Sequence, residues 1–436
     1  MTKAKSKAKL NNQPIKGTAD WFPEEFVIRK YIFDTWRRVC KQFGYEEYLT
    51  PLVENADLYR AKSGEDVGGT ELTVFTDRGG RDLAIRPEMT PSVTRMVSQR
   101  YTSLPKPIRL FSIANFFRNE KPQRGRNREF WQLNYDVFGS NSVYADVEIL
   151  QVGLEIMLSF NPPPNSFVAY VNSRTLIDLI LDSLGISDGE IKVKLMRILD
   201  KWDKEGEVAS RMRLGKVGLR LNQVDGLVKL IKCASQQELV TNFPELKGSK
   251  VLKDIELLMV TLQGLGYRDW VQFKPSLIRG FDYYDGPVFE FFDQSPQNKR
   301  SLFGGGRYNA LAGLFDVEPF PAVGCAPGDE TTRLFLDEWN LIEQLNIRDP
   351  VGKLYLPLLG EKSIAKAFTL ASKLRSQGEI VEIGLQVQNL RTALIYADKR
   401  SFTKIIFLGD EELERGIYVV RDMLTGDQEE FSFTTG

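Results

Sequence analysis

The chain has 436 residues, no net charge and 42% hydrophobic residues, which is ordinary for a globular protein of two or three domains. It contains no histidine, which excludes Ser-His-Asp triads and HExxH metal sites built from this chain. Three scattered cysteines, the lack of a long apolar run and the polar N-terminus predict a cytoplasmic protein with a disordered basic tail over residues 1–13.

The first predicted element is an amphipathic helix over residues 24–43. Its apolar positions recur at the three-to-four spacing of one helix face, at Ile28, Ile32, Trp36, Val39 and Phe43. The next apolar segment, "ELTVFTDRGGRDLAIRPEMT", predicts two strands around a Gly-Gly turn.

The segments "IRLFSIANFF" and "FWQLNYDVF" then predict an antiparallel hairpin. The stretch from Arg118 to Asp136 reads "RNEKPQRGRNREFWQLNYD". Its first part, with four arginines and one lysine, lies at the tip of the predicted hairpin. A solvated charged loop is the ordinary interpretation of such a run. Arginine's planar fork suits phosphate or carboxylate binding, so a phosphate-bearing ligand is the competing interpretation.

The pattern becomes helical over residues 186–266, which predicts an inserted helical subdomain between two parts of one domain, 14–185 and 267–335. Within it, "ASRMRLGKVGLRLNQ" has no acidic residue and predicts either a basic binding face or a solvated helix face. A linker follows over 336–351. Strands and helices alternate over 352–436, which predicts a small separate α/β unit.

Polar residues are unusually frequent within the apolar strands. Gln132, Asn134 and Asp136 share one strand face by period two, and other polar residues stand in or beside similar strands. Buried charges without partners are costly, so these groups predict either a polar ligand or a dense network of ion pairs. The triple glycine in "FGGGRY" lacks the features of a P-loop, and we interpret it as permitting close backbone approach.

Several of these motifs resemble one known family. "FGYEEYLTPL", "IRPEMT", "FFRNEKPQRGRNREFWQLNYDVFG", "LIRGFDYYDGPVFE" and "FGGGRYNAL…PAVGCAPGD" are similar to successive signatures of the histidyl-tRNA synthetase family of class II aminoacyl-tRNA synthetases. The resemblance runs from about Gly17 to the C-terminus. It implies an α+β catalytic core with a mixed, mainly antiparallel sheet, an inserted helical subdomain and a C-terminal α/β anticodon-binding domain.

The resemblance also implies an activity, in which L-histidine is activated with ATP and then transferred to the 3′ end of histidine tRNA. ATP and Mg²⁺ are the implied cofactors, and histidine tRNA is the implied partner. The motif one segment, which is the first helix together with "FGYEEYLTPL", implies a homodimer. Arg118 and Arg279 are the implied catalytic residues. The residues implied to bind ATP are Arg118, Glu120, Arg126 and Phe130.

The implied histidine-binding residues are Glu88, Thr90, Gln132, Asp136, Arg279, Tyr283, Tyr284 and Tyr308. Of these, Glu88, Thr90 and Gln132 would bind the α-ammonium, while Asp136, Tyr284 and Tyr308 would bind the imidazole. Lys121 and Gln123 at the hairpin tip would contact the tRNA acceptor end. No protein ligand for a metal is implied.

Two positions depart from the family pattern. Trp131 stands where many relatives have histidine, and Thr331 stands where motif three usually has an arginine, with Arg333 two residues further on. A regulatory paralogue that senses histidine, similar to the regulatory subunit of ATP phosphoribosyltransferase, is the first alternative. The retained Arg118, Arg126 and Arg279 and the complete C-terminal unit favour the enzyme. The second alternative, a tRNA-binding module, leaves the amino-acid pocket unexplained.

The missing histidine suggests a further hypothesis. A protein that charges histidine tRNA but needs no histidine for its own translation can be made during histidine starvation. Transfer to the tRNA cannot use a protein imidazole, so a phosphate oxygen of the adenylate is the hypothetical base.

Overall fold

The computed structural model describes residues 11–61, 63, 66–278, 283–298, 301–344 and 352–433. The chain divides into two compact units, Met1–Leu345 and Asn346–Gly436. The predicted site residue Arg279 and the first ten residues of the predicted basic tail lie outside the described residues. No helix in the described part of the chain is long and apolar enough to cross a membrane.

The first unit combines strands and helices with a few short 3₁₀ and π turns. Its strands and helices are, in chain order, α1 (Pro23–Gln42), β1 (Glu46–Glu47), β2 (Val53–Asn55), α2 (Asp57–Arg60), β3 (Thr73–Thr76), β4 (Asp82–Ile85), α3 (Thr90–Ser98), β5 (Ile108–Phe117), β6 (Glu129–Phe138), α4 (Val143–Leu158), β7 (Phe167–Ser173), α5 (Arg174–Ser183), α6 (Gly189–Asp200), α7 (Trp202–Glu205), α8 (Glu207–Lys216), α9 (Leu221–Lys232), α10 (Gln236–Asn242), α11 (Lys250–Gly264), β8 (Val271–Phe273), β9 (Pro287–Asp293), β10 (Ser301–Arg307), β11 (Ala322–Cys325) and α12 (Asp329–Glu338).

An eight-stranded sheet organises this unit, in the order β1-β5-β6-β11-β10-β9-β7-β8. Only the outer pairs β1–β5 and β7–β8 are parallel, so the sheet is mixed and mainly antiparallel, as predicted. The strands β5 and β6 pair over their whole length, from Ile108 opposite Phe138 to Phe117 opposite Glu129. The predicted hairpin is therefore confirmed, and the arginine-rich stretch forms the loop at its tip, between Phe117 and Glu129.

The helix α1 confirms the first predicted element. Pro23 at its start needs no hydrogen-bonding N–H, and Glu24 and Glu25 in the first turn favour the positive end of the helix dipole. Its buried face includes Ile32 and Trp36, which belong to the same apolar core as α4 and the strands of the large sheet. A small sheet in the order β2-β4-β3 contains the other predicted strand pair.

The helices α5–α11 enclose an apolar core of their own, which includes Leu195, Leu214 and Leu227. The basic segment of α8 is partly neutralised: Arg211 donates to Glu207 and Asp225 at 2.9 and 2.8 Å. Arg213 donates to Glu205 at 2.6 Å. These pairs favour the interpretation of a solvated, ion-paired helix face over that of a bare basic face.

The second unit is a five-stranded sheet with helices. Its elements are β12 (Lys353–Leu358), α13 (Ile364–Ser376), β13 (Ile380–Val387), α14 (Leu390–Lys399), β14 (Lys404–Phe407), α15 (Asp410–Arg415), β15 (Ile417–Asp422) and β16 (Gln428–Ser432). The strand order is β13-β12-β14-β15-β16, parallel for the first three strands and antiparallel for the rest.

Successive residues of β12 point to opposite faces of that sheet. Leu354 and Leu356 share a core with Ala367 of α13, whereas Tyr355 shares another core with Ala393 of α14. One helix therefore packs against each face of the five-stranded sheet.

Candidate active site

A large cavity opens over the middle of the eight-stranded sheet, with about 1020 Å³ of space that is partly open to solvent. Its walls come from β6, β10, β11, the loop before α3, the hairpin end and the start of α12. Eleven of the residues predicted for ATP or histidine line it, namely Glu88, Thr90, Arg118, Glu120, Arg126, Phe130, Gln132, Asp136, Tyr283, Tyr284 and Tyr308. Its mixture of carboxylates, arginines and aromatic rings suits a polar small molecule.

One end of the cavity is a buried polar pocket around Asp136. The hydroxyl of Tyr308 donates to Asp136 Oδ1 at 2.6 Å, and both residues are almost fully buried. Among the described residues, neither Asp136 Oδ2 nor the side-chain amide nitrogen of Asn134 has a hydrogen-bond partner. Desolvation raises the pKa of Asp136 to about 7, although the Tyr308 bond opposes this rise. Such groups call for a ligand that can both donate and accept hydrogen bonds.

Glycine is required opposite Asp136. Gly324 of β11 pairs with Asp136 of β6, and a Cβ atom at position 324 would lie 1.8 Å from Asp136 Oδ1. The carboxylate therefore occupies the space that any other side chain would fill. Gly305 of the triple glycine is equally crowded, since a Cβ there would lie 2.0 Å from the carbonyl oxygen of Gly324. This crowding agrees with the interpretation of the triple glycine as a place of close backbone approach.

A second buried carboxylate lies on another wall. Tyr283 donates its hydroxyl to Glu88 Oε2 at 2.9 Å, and Glu88 Oε1 has no hydrogen-bond partner among the described residues. Burial raises the pKa of Glu88, while the nearby hydroxyl groups of Ser63 and Tyr283 and the charge of Arg118 act in the opposite direction. Thr90, two residues further on, lines the same part of the cavity. A bound ammonium group would complete this arrangement.

The other end of the cavity carries positive charge and an aromatic ring. The half-buried Arg118 donates from Nε to the carbonyl oxygen of Pro87 at 3.0 Å, and its Cζ lies 5.1 Å from the ring centroid of Phe130. Arg126 is more exposed and forms an ion pair with Glu120 at 3.4 Å. A fixed guanidinium beside an aromatic face is suited to an anionic, planar ligand such as a nucleotide.

The hairpin tip is divided: Gly125 and Arg126 belong to the cavity lining, whereas Lys121 and Gln123 do not. Lys121 and Gln123 are exposed, and Gln123 and Arg126 exchange two backbone hydrogen bonds of 3.0 and 2.8 Å that close a tight turn. Gly125 within this turn has a φ of +74°, which side chains other than hydrogen rarely allow. The two predicted tRNA contacts are therefore presented on a defined turn at the surface.

The start of α12 forms a wall that sequence reasoning missed. Asp329 and Glu330 line the cavity, and both pair with the buried Arg29 of α1. The carboxylates after "PG" are visible in the sequence, but their partner is about 300 residues away and follows no pattern. Thr331 also lines the cavity, and its hydroxyl donates to the carbonyl oxygen of Leu302 at 2.6 Å.

Comparisons with known proteins agree with this geometry. A family model described as histidyl-tRNA synthetase matches residues 17–328, and one described as an anticodon binding domain matches residues 353–435. A histidine–tRNA ligase of Leptospira biflexa is 39% identical over 98% of this chain and 96% of its own length. One of Pyrococcus furiosus is 36% identical over 95% of each chain.

The chain belongs to the histidyl-tRNA synthetase family.

Solved structures of this family have the same fold. The histidyl-tRNA synthetase of Nostoc sp. PCC 7120 aligns with a TM-score of 0.77 and 22% identity, and covers 97% of both chains. The apo enzyme of S. aureus aligns with a TM-score of 0.72 over the same share of each chain. The predicted class II core and C-terminal anticodon-binding domain are therefore confirmed.

Fold alone does not separate a histidyl-tRNA synthetase from the regulatory alternative. A Bacillus halodurans structure described as an ATP phosphoribosyltransferase regulatory subunit/histidyl-tRNA synthetase also aligns, with a TM-score of 0.70 over 90% of this chain. It is only 21% identical, whereas the more similar relatives are histidine–tRNA ligases. The predicted membership of the enzyme family is confirmed by these relatives and by the matched anticodon-binding domain.

The two departures from the histidyl-tRNA synthetase pattern lie around α12. Trp131 packs its ring 5.4 Å from that of Phe33, and its backbone N–H donates to Asp329. Arg333 does not belong to the cavity lining; it lies 3.8 Å from Asp337. In this conformation Thr331, and not an arginine, occupies the cavity wall.

Proposed function

We propose that this chain is a histidine–tRNA ligase, which joins histidine to AMP with release of pyrophosphate and then transfers histidine to tRNA. The observation that carries the proposal is a single cavity with a buried carboxylate–tyrosine pair at one end and arginines at the other. A histidyl-adenylate needs both ends, because its imidazole is a hydrogen-bonding ring and its phosphate is an anion.

Histidine would lie with its imidazole against Asp136, Tyr284 and Tyr308. The pair Asp136–Tyr308 offers an acceptor in the carboxylate and a hydroxyl that is already oriented by its 2.6 Å bond. A site that bonds both ring nitrogens rejects isosteres that lack them, because its own buried groups would be left unpaired.

The α-ammonium group would lie near Glu88, Thr90 and Gln132. The unpartnered Oε1 of Glu88 supports this assignment, since a buried carboxylate is stabilised by a cation. The tyrosine Tyr283 would act through Glu88, because it donates to the other carboxylate oxygen. Together these groups orient the histidine carboxylate for its attack on phosphorus.

ATP would lie along the loop end of the β5–β6 hairpin. Arg118 would contact the α-phosphate, with Arg279 on its other side, and Phe130 would cover the adenine face. Glu120 would contact the adenine edge, and the exposed Arg126 would hold the outer phosphates. Catalysis then consists mainly of positioning and charge stabilisation.

Mg²⁺ would accompany ATP and neutralise charge on its phosphates. The cavity carboxylates are ligands of the kind that Mg²⁺ binds, although Glu330 is already paired with Arg29. Within the described residues no group of three or more metal-binding side chains occurs. Phosphate oxygens and water would therefore supply the other ligands.

The tRNA would contact both units of the chain. Lys121 and Gln123 on the surface turn would meet the acceptor end, and the second unit would bind the anticodon. For the transfer step, a phosphate oxygen of the adenylate would accept the proton of the tRNA hydroxyl. Single-turnover transfer should then be insensitive to Glu120→Gln and Glu330→Gln, and a large loss in either variant would refute this step.

Assembly and location are part of the same proposal. We infer a cytoplasmic homodimer that forms through the motif one segment. Exposed apolar side chains of Phe22, Leu49 and Leu52 in and beside this segment support a contact with a second copy. Sedimentation of the purified protein would test the dimer.

The decisive experiment is histidine-dependent ATP–pyrophosphate exchange without tRNA, with the Arg279→Ala variant alongside. Exchange with histidine alone, lost in the variant, is the expected result. Histidine binding without exchange would contradict the enzyme and favour the regulatory alternative.

A further inference from the structure

The buried arginine of α1 holds the wall of the cavity that α12 forms. Arg29 is only 5% exposed. Its two terminal nitrogens lie 2.5 Å from Asp329 Oδ2 and 2.7 Å from Glu330 Oε1. Its Cζ lies 3.5 Å from the ring centroid of Trp21, so an aromatic face covers the guanidinium. One planar cation is thus fixed by three partners.

The same network reaches the strand that carries the ligand-facing residues. Asp329 accepts a hydrogen bond from the backbone N–H of Trp131 at 3.0 Å, with its other oxygen on Arg29. Trp131 lies in β6 between Phe130 and Gln132, which both line the cavity. The carboxylate of Asp329 therefore links the α12 wall to β6, and Arg29 balances its charge.

The electrostatic consequence concerns the nucleotide more than the amino acid. Asp329 and Glu330 are two negative groups on the wall of a cavity proposed to hold a triphosphate, and Arg29 reduces their net charge by one. The residue that follows them and also lines the cavity is the uncharged Thr331, and Arg333 does not line the cavity. Arg29 is thus the cation in direct contact with these two carboxylates among the described residues.

We propose that Arg29 is a positioning residue for ATP: it fixes Asp329 and Glu330 at the start of α12 so that this wall accepts the triphosphate. This inference rests on the proposed function. Arg29 does not line the cavity and touches no substrate, so it acts through the two carboxylates. Lysine at this position would offer one ammonium nitrogen in place of two terminal nitrogens held in a plane, so it could not reproduce both contacts in their present geometry.

The test measures pyrophosphate exchange with variants Arg29→Gln and Arg29→Lys. Arg29→Gln should raise the KM for ATP about tenfold, as expected when buried carboxylates lose their cation, with the KM for histidine changed less than about twofold. The KM for ATP of Arg29→Lys should lie between those of Arg29→Gln and the wild type. Equal changes in both KM values, or none, would overturn the proposal.

A matched control comes from the same helix. Arg37 of α1 also pairs with two carboxylates, those of Asp34 and Glu47, but it is only half-buried and does not belong to the cavity lining. Arg37→Gln should leave both KM values unchanged. A rise in the KM for ATP in this variant equal to that in Arg29→Gln would also overturn the proposal.

A second readout is independent of turnover. Mg-ATP should raise the midpoint of thermal unfolding of the wild type, and this shift should be smaller in Arg29→Lys and smallest in Arg29→Gln. An undiminished shift in both variants would overturn the positioning role, even if the wild type performed no exchange. Absence of exchange by the wild type would contradict the proposed function alone, so the two failures are distinguishable.

Discussion

The buried carboxylate of Asp136 opposes folding at neutral pH and is the group proposed to bind the imidazole of histidine. Its pKa is raised from 3.8 to about 7 by desolvation. The folded state therefore holds a proton that the unfolded state has released between about pH 4 and pH 7, and the free energy of unfolding falls as the pH rises through this window. A ligand that donates a hydrogen bond to Asp136 offsets this cost.

Asp136→Asn separates these two effects. We expect the variant to be at least as stable as the wild type at pH 8, because no charge is buried, while the KM for histidine rises roughly 10- to 100-fold through a lost charged hydrogen bond. Urea unfolding at pH 5 and pH 8 and pyrophosphate exchange would measure both. An unchanged KM for histidine would contradict the imidazole assignment.

Gly324 is expected to be intolerant of the smallest side chain. Gly324→Ala would place a methyl group against the Asp136 carboxylate, so we expect a loss of histidine binding and a destabilisation of about 1–3 kcal/mol from overpacking. Gly189→Ala is the control, since no atom lies within 4 Å of the Cβ built there. Calorimetric titration with histidine and urea unfolding would compare the two, and a normal affinity in Gly324→Ala would disagree with the observed crowding.

At the level of elements, the β5–β6 hairpin is proposed to contact two substrates. Its strand β6 and part of its tip, including Arg126, line the cavity, whereas Lys121 and Gln123 of the tip are exposed and lie outside the lining. The proposed contacts with the small substrates and with tRNA therefore fall on different residues of one element.

Substitutions of Lys121 and Gln123 at the tip should affect only the reaction with tRNA. We expect Lys121→Ala together with Gln123→Ala to lower kcat/KM for tRNA charging about tenfold or more, since each lost contact contributes 1–3 kcal/mol at most, and to leave exchange unchanged. Lys30→Ala, at an exposed site on α1, is the control. A parallel fall in pyrophosphate exchange would mean that the tip also shapes the ATP site.

The helical subdomain has a separate core, so its stability can be probed from one helix. Leu227 of α9 is fully buried, whereas Leu221 at the start of the same helix is 76% exposed. Leu227→Ala should lower the free energy of unfolding by about 2–5 kcal/mol, and Leu221→Ala by no more than about 0.5 kcal/mol. Similar losses in urea unfolding for both variants would contradict the burial of α9.

The whole chain, finally, lacks histidine in all 436 positions, while the family to which it belongs is named for histidine. Ribosomes that translate this chain meet no histidine codon. We expect synthesis of the protein to continue after histidine withdrawal from an auxotrophic host, when synthesis of a histidine-containing reporter declines. Pulse labelling measures both rates.

Matched variants separate the effect of histidine codons on synthesis from any effect of the substitutions on folding. Histidine can be placed at three exposed positions, Lys194, Gln237 and Lys247, and asparagine at the same positions provides the control. The histidine variant should lose its advantage during starvation, and the asparagine variant should keep it. Equal decline of the wild type and the histidine variant would disprove the hypothesis.

Much of the fold was predictable because its signals are local. Helical spacing in α1 and strand pairs around short turns depend on residues close together in the chain. The membership of a synthetase family could also be predicted from the sequence, because its motifs are contiguous segments such as "RGFDYYDG". The ion pairs of α8 were not accessible, because charge pattern alone does not state which partners a helix face meets.

The candidate site divides in the same way. Period two placed Gln132, Asn134 and Asp136 on one face, and the family motifs supplied further residues that line the same cavity. Tertiary structure alone decided that Arg29 would meet Glu330, 301 positions later, and that Thr331 rather than Arg333 would line the wall. The physical reason is that a local pattern states which way a side chain points, whereas its partner depends on how distant segments pack.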